Sequence, residues 1–193
     1  MVHLDRLTTR SGDNGSTGLS DGSRVAKCHP LITVIGTVDE AGSLLGVVAC
    51  EDLPAAVAAE LPRIQNDCFD LGADLATPPG GQYEDKIPRV SSAQVERLEA
   101  AVTAATAQLQ PLKSFILPGG TKAAAWLHLA RTVVRRAERE LVAAQQEMPE
   151  RIFNPCCVQY LNRLSDLCFA WARLANDGGK ADVLWVPGGN RGR

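Results

Sequence analysis

Between Pro54 and Ala76 the apolar residues Val57, Leu61, Ile64, Cys68, Leu71 and Leu75 follow one another at steps of four, three, four, three and four. That spacing returns each side chain to one face of a 3.6-residue helix and predicts an amphipathic helix with a single apolar stripe. Pro62, which lacks an amide proton, is expected to bend this helix or to mark its true start. Upstream, Leu31, Val34, Ile35, Val38, Ala41, Leu45 and Val48 predict another helix, over 31–50. Gly36, Gly42 and Gly46 interrupt it, each at roughly 1 kcal/mol relative to alanine, so close packing or the approach of a ligand is expected to require them. LITVIGTV alone could be a buried strand, but its continuation to Cys50 keeps helical spacing.

Downstream of a break at TPPGGQ (77–82), Ser91 and Gln94 form a capping box ahead of Val95, Leu98, Val102, Ala105 and Leu109. A linker, PLKSFILPGGT, carries Phe115, Ile116 and Leu117 at its apolar centre. Thr121 then caps the longest helix, to about Gln146, with Leu127, Ala130, Val134, Ala137 and Leu141 inward. A last helix from about Asn154 to Asn176 turns Cys157, Leu161, Leu164, Cys168 and Trp171 inward, and Gly178 and Gly179 end it before a short tail. Five amphipathic helices, no internal repeat and no convincing strand predict an all-α fold, an up-and-down five-helix bundle. The expected organisation is one domain over 1–193, with a loop at 1–30, the bundle at 31–176 and a tail at 177–193.

The stretch TTRSGDNGSTGLSDGSR (8–24) has no place in a core. Two readings are open: a flexible tail, or a loop whose glycines turn backbone amides inward around an anion while Arg10, Arg24 and the hydroxyls add donors. It is not a P-loop, because no lysine follows its second glycine, and PGGTK at 118–122 fails on spacing. With 193 residues and 45% hydrophobic content the chain can bury a substantial core, and a net charge of −2 excludes general affinity for nucleic acid or an anionic membrane. Six cysteines without a CxxC pair read as reduced thiols in a cytoplasmic protein, and Cys156, Cys157 and His128 lack the spacing of a structural zinc site. The N-terminal residues have no apolar signal region, and no later apolar run is read as approaching the ~20 residues of a membrane span.

Polar residues that intrude on the apolar stripes carry the candidate chemistry. Arg131, Arg135 and Glu138 share one face of the fourth helix, beside its stripe. Arg131 lies within an otherwise apolar stretch and needs a carboxylate; Asp39, similarly placed in the first helix, would pair with it between helices or across a subunit interface. Asn162 and Asp166 face one way on the fifth helix.

TRSGDNGSTGL, SRVAK, GTVDE, IQNDCFDLGADLATP, KSFILPGGT, LHLARTVVRRAERE and QYLNRLSDLCF, in that order over about 8–175, resemble the ATP:cobalamin adenosyltransferases of the PduO type. The resemblance implies a homotrimer of five-helix bundles, ferritin-like in topology, with active sites between subunits that transfer the 5′-deoxyadenosyl group of ATP to cob(I)alamin and release triphosphate. By the same resemblance the glycine-rich segment becomes an ATP loop that orders over the nucleotide. Thr9, Arg10, Ser11, Gly12, Thr17 and Gly18 would cradle ATP, and Lys27 would reach its phosphates. Arg135, Glu138 and Asn162 of the neighbouring subunit would contact the nucleotide, with Arg136 and Arg139 in the same matched block. Asp39 and Arg131 match an intersubunit salt bridge beside cobalamin, and Phe115 matches the aromatic residue under the corrin. Catalysis is thereby expected of Arg135, Phe115, Asp39 and Arg131. Ser11, Asn14 and Ser16 stand where many relatives carry Thr, Asp and Thr, and VDEAGS departs from VDELNS, which changes local helix volume.

In this chemistry the cofactor is the nucleophile, so no general base is required of the protein. Arginines, Lys27 and Mg²⁺ along the triphosphate would act on charge as it develops, and Phe115 would favour base-off, four-coordinate Co(II) for reduction. A cob(II)alamin reductase and an adenosylcobalamin-dependent mutase are the expected partners. The rival readings are a non-catalytic cobalamin carrier, against which the complete ATP loop and Lys27 argue, and a carboxylate-bridged metal bundle, whose Glu-x-x-His ligand pairs are absent.

Overall fold

The computed structural model describes residues 8–80 and 84–189. The ends of the expected loop and tail (1–7 and 190–193) and part of the expected break at 77–82 lie outside the described residues. Five helices carry the fold: α1 (Pro30–Val48), α2 (Ala55–Ala76), α3 (Ser92–Thr106), α4 (Lys122–Glu147) and α5 (Pro155–Ala175). Each expected apolar stripe faces the common core, in which Leu45, Leu71, Leu127, Leu141 and Leu164 are fully buried. α1 packs on α2 and α4, α4 on α5, and α5 on α3.

The helix starts follow from side chains that satisfy free amides. Ser91 and Gln94 form the reciprocal box of α3, Thr121 Oγ1 accepts from Ala124 N at 3.1 Å, and Asn154 Oδ1 accepts from Cys156 N at 3.0 Å ahead of Pro155. α1 is capped by His29, whose Nδ1 accepts from Leu31 N at 3.3 Å. Pro62 neither starts nor ends α2 but lies inside it. Pro62 and Ala58 are both exposed, so the carbonyl that loses its amide partner faces water.

Two expectations are corrected. A short antiparallel hairpin, β1 (Ser16–Gly18) and β2 (Arg24–Ala26), occupies the glycine-rich segment where no strand was expected, with Thr17 opposite Val25. Its turn is local chemistry invisible to hydrophobic periodicity: the Asp21 carboxylate accepts from Ser23 N at 2.9 Å and Ser23 Oγ at 2.6 Å, and Gly22 takes φ 85°. Those bonds hold the Asp21 carboxyl below its ordinary range. Second, α1 is long and apolar enough by length and composition to cross a membrane. Only Asp39 and Glu40 charge it, and in the fold it is a core helix whose stripe is buried against its neighbours.

Buried polar groups tie the helices together. The Asp67 carboxylate on α2 accepts from Tyr160 Oη on α5 at 2.7 Å and Gln94 Nε2 on α3 at 2.9 Å, and also from Arg97. Asp74 likewise joins Arg89, at 2.8 Å, to Val90 N and Asn154. Full satisfaction of such carboxylates is what makes their burial tolerable.

Candidate functional site

The glycine-rich segment is anchored on α2. Ser20 N donates to Ala76 O at 3.1 Å and Ser20 Oγ to Thr77 Oγ1 at 2.9 Å. Arg24, expected as a further anion donor, is instead spent on the loop itself, with its guanidinium bonded to Ser11 O at 2.7 Å and to Ser16 Oγ at 2.7 Å. Arg10 holds φ 61°, a left-handed conformation uncommon for a residue with a Cβ. Thr9 Oγ1 and Ser11 Oγ share a 2.9 Å hydrogen bond at the exposed rim. The Lys27 ammonium sits over Gly12, where an added Cβ would stand 3.0 Å from Nζ, and Lys27 N donates to Gly15 O at 2.9 Å. Glycine at 12 thus leaves room for the lysine that crowns the loop.

This loop opens on a cavity of about 700 Å³ between the hairpin, α1 and α2. Thr17 and Gly18 border it on one side, Ile32, Ile35, Gly36 and Asp39 on the second, and Cys68, Phe69 and Gly72 on the third. The glycines of α1 and α2 divide by role. Added Cβ atoms at Gly42 and Gly46 would meet Cys68 Cβ at 3.5 Å and Gln65 Nε2 at 3.2 Å, which is helix packing; Gly36 and Gly72 have nothing within 4 Å and form open floor. The walls are mostly apolar, with Ser43 and Gln65 as polar exceptions and Asp39 as an exposed charge on the rim.

Arg131 and Arg135 line a different cavity, of about 280 Å³, with Asp166, Phe169 and Val102 between α3, α4 and α5. The two cavities share no lining residue. Arg131 is half-buried and Arg135 exposed; Arg131 Nε is buried without a partner, and burial, then the neighbouring Arg135, lowers the Arg131 pKa. Asp39 is not brought to Arg131 within the chain, so the interhelical version of their pair is excluded. Glu138 Oε1 accepts from Asn162 Nδ2 at 2.9 Å, which fixes both on the α4–α5 face. Arg139 reaches back to Arg135 O at 3.2 Å, whereas Arg136 turns toward α1 and pairs with Glu40, with Glu140 at 3.9 Å.

Phe115 is 78% exposed. Its linker pairs with the C-terminal tail: Trp185 N donates to Phe115 O at 2.7 Å and Leu117 N to Val183 O at 2.8 Å, and the Phe115 and Trp185 rings meet edge to face at 6.1 Å. Sequence reasoning passed over Trp185, although the apolar run Val183 to Val186 after a glycine pair is a strand signal. It also passed over Phe69, 76% exposed at the large cavity.

Within the five-helix bundle, a glycine loop beside a mostly apolar cavity and a separate arginine-lined cavity together define a binding protein with one face for an anion and one for an apolar group. Residues 7–175 match the family described as cobalamin adenosyltransferase, and the chain belongs to that family. It is 47% identical over 191 residues to the corrinoid adenosyltransferase of Mycobacterium tuberculosis, covering 98% of this chain and 97% of that protein. It is 41% identical to corrinoid adenosyltransferase PduO of Salmonella typhimurium over 92% of this chain and 52% of the relative. A phenylalanine-to-alanine variant of the PduO-type ATP:corrinoid adenosyltransferase from Lactobacillus reuteri, complexed with cobalamin and ATP, superposes with TM-score 0.82 at 35% identity, over 93% of this chain and 99% of that one. An arginine-to-lysine variant of the same enzyme, complexed with ATP, gives 0.80 at 36% identity, over 93% and 100%.

Proposed function

We infer that the chain is an ATP:corrinoid adenosyltransferase, which transfers the 5′-deoxyadenosyl group of ATP to cob(I)alamin to form adenosylcobalamin and triphosphate. The observation that carries the reading is the division of the chemistry between two cavities: Thr17 and Gly18 of the lysine-crowned glycine loop border the mostly apolar one, and Arg131, its Nε unpartnered, lines the other with Arg135. Neither half is complete alone. A homotrimer, in which Asp39 and the loop of one subunit meet Arg131, Arg135, Glu138 and Asn162 of the next, unites them and gives Arg131 its carboxylate.

In such a site Thr9, Arg10, Ser11, Gly12, Thr17, Gly18 and Lys27 hold the triphosphate from one side, and Arg135 neutralises it from the other. Cob(I)alamin attacks C5′; the cobalt–carbon bond forms as the C5′–oxygen bond breaks, and the electron pair leaves with triphosphate. The protein's task is in-line placement and stabilisation of the departing charge. Mg²⁺ would accompany the triphosphate and supply further neutralisation of its charge. Phe115, exposed on its linker, occupies the lower cobalt face, keeps the cofactor base-off and favours four-coordinate Co(II) for a cob(II)alamin reductase; a mutase is the consumer of the product. A cytoplasmic setting suits the free thiols, with burial pushing Cys68 and Cys168 up to about 12.

Mixing ATP with pre-reduced cob(I)alamin in a single turnover tests the assignment. Adenosylcobalamin and triphosphate should appear in equal amounts. Binding of adenosylcobalamin with no consumption of ATP would instead identify a carrier.

A further inference from the structure

The ribbon that presents Phe115 is too short to hold itself. It consists of one bridge, Ile116 opposite Leu184, flanked by the Leu117 and Trp185 amide bonds and by Ser114 Oγ donating to Trp185 O at 2.8 Å. Two-stranded ribbons of this size are marginal in water. Yet both strands are rooted in a buried polar cluster at the end of α5.

Asp182 stands immediately before the tail strand, and its side chain is 2% exposed. Its Oδ2 accepts from Arg173 Nε at 2.7 Å and its Oδ1 from Asn176 Nδ2 at 3.1 Å. The same two residues grip the linker at both ends. Arg173 Nη2 donates to Gln110 O at 3.0 Å, Asn176 Nδ2 donates to Gly119 O at 3.0 Å, and Asn176 Oδ1 accepts from Thr121 N at 3.0 Å. Two glycines make the closure possible. A Cβ at Gly120, φ 101°, would stand 2.2 Å from Asn176 Oδ1, and one at Gly179, φ 86°, would stand 2.8 Å from Arg173 Nη2. A buried carboxylate, a buried arginine and a buried amide, each satisfied by the others, lock linker and tail to one helix end.

We propose that Asp182, held by Arg173 and Asn176, is a positioning residue for the reaction: it fixes the tail strand so that Trp185 backs Phe115 and the Phe115 ring stays against the lower cobalt face. The proposal rests on the reading of Phe115 given above. Asp182 itself touches neither substrate; it acts through the ribbon.

The ligand-free protein gives the first readout, hydrogen–deuterium exchange at the Leu117 and Trp185 amides. Asp182→Ala should accelerate both by about tenfold or more, with the amides of the buried helices unchanged. Asp182→Asn keeps the shape but offers one acceptor to two donors, so it should loosen the ribbon to an intermediate degree even if the alanine variant folds poorly. Unchanged exchange in both variants would overturn the anchoring role. The second readout is the absorption spectrum of bound cob(II)alamin with ATP present. Asp182→Ala should lower the four-coordinate fraction as Phe115→Ala does, the double variant should be no worse than Phe115→Ala alone, and ATP affinity should stay within about twofold. A normal spectrum in Asp182→Ala beside a lost four-coordinate signal in Phe115→Ala would defeat the positioning role, as would an ATP affinity that falls in parallel. A normal spectrum in Phe115→Ala would defeat the reading of Phe115 instead, whatever the exchange data show.

Discussion

Arg131 is a cation half-removed from water whose Nε has no hydrogen-bond partner among the described residues, and Asp39 is an exposed carboxylate on the rim of the other cavity. If the trimer brings them to hydrogen-bonding distance, two unit charges at 4 Å in an effective dielectric of about 20 attract by about 4 kcal/mol. The remaining exposure of Arg131 and screening by salt reduce the expected coupling to about 1–3 kcal/mol, or about 5- to 150-fold. Asp39→Asn and Arg131→Met should each lower kcat/KM and shift sedimentation toward smaller species at low protein concentration. The swap Asp39→Arg with Arg131→Asp should recover part of both losses, because the geometry is retained with the signs reversed. Losses that simply multiply, with no recovery in the swap, would refute a direct pair; an Asp39→Asn protein indistinguishable from the parent in both assays would do the same.

Arg135→Ala should abolish adenosyl transfer, by at least about 100-fold, while sedimentation reports the same assembly as for the parent protein, since its side chain is exposed and outside the core; a change of assembly would give the residue a structural role. Phe115→Ala should depress activity with an enzymatic reductant far more than activity with pre-reduced cob(I)alamin, and equal losses would make Phe115 a packing residue. His128 supplies the pH dependence. Burial and then Arg131 lower its pKa from the ordinary 6.5, with Asp182 opposing, so the unfolded chain binds the proton more readily and stability falls as pH drops below 6.5 until the lowered folded pKa is passed. His128→Leu should flatten that part of the thermal-melting profile between about pH 7.5 and 5.5, and an unchanged slope would show that other groups carry it.

The helices were legible because burial writes itself into spacing. Val57 to Leu75 and Leu127 to Leu141 recur at three and four residues, since only that period keeps a stripe against one core, and the caps at Ser91, Thr121 and Asn154 are local chemistry that does not depend on what packs nearby. The hairpin at Ser16 to Ala26 lacked such a pattern, because its strands are three residues long and its turn is set by Asp21, Ser23 and Gly22. The family and its activity were likewise legible, in short blocks whose order is specific. Tertiary structure alone decided that Arg24 is consumed by the loop while Lys27 is raised over Gly12, that Arg136 turns to Glu40 while Arg135 faces the smaller cavity, and that Asp39 and Arg131 lie in different cavities. Each of these depends on which neighbour a flexible charged side chain finds, and periodicity carries no information about that. The same holds for Arg173, Asn176 and Asp182: they are distant in sequence from the Phe115 linker they hold, and only the folded end of α5 brings their donors and acceptors within 3.1 Å of it and of one another.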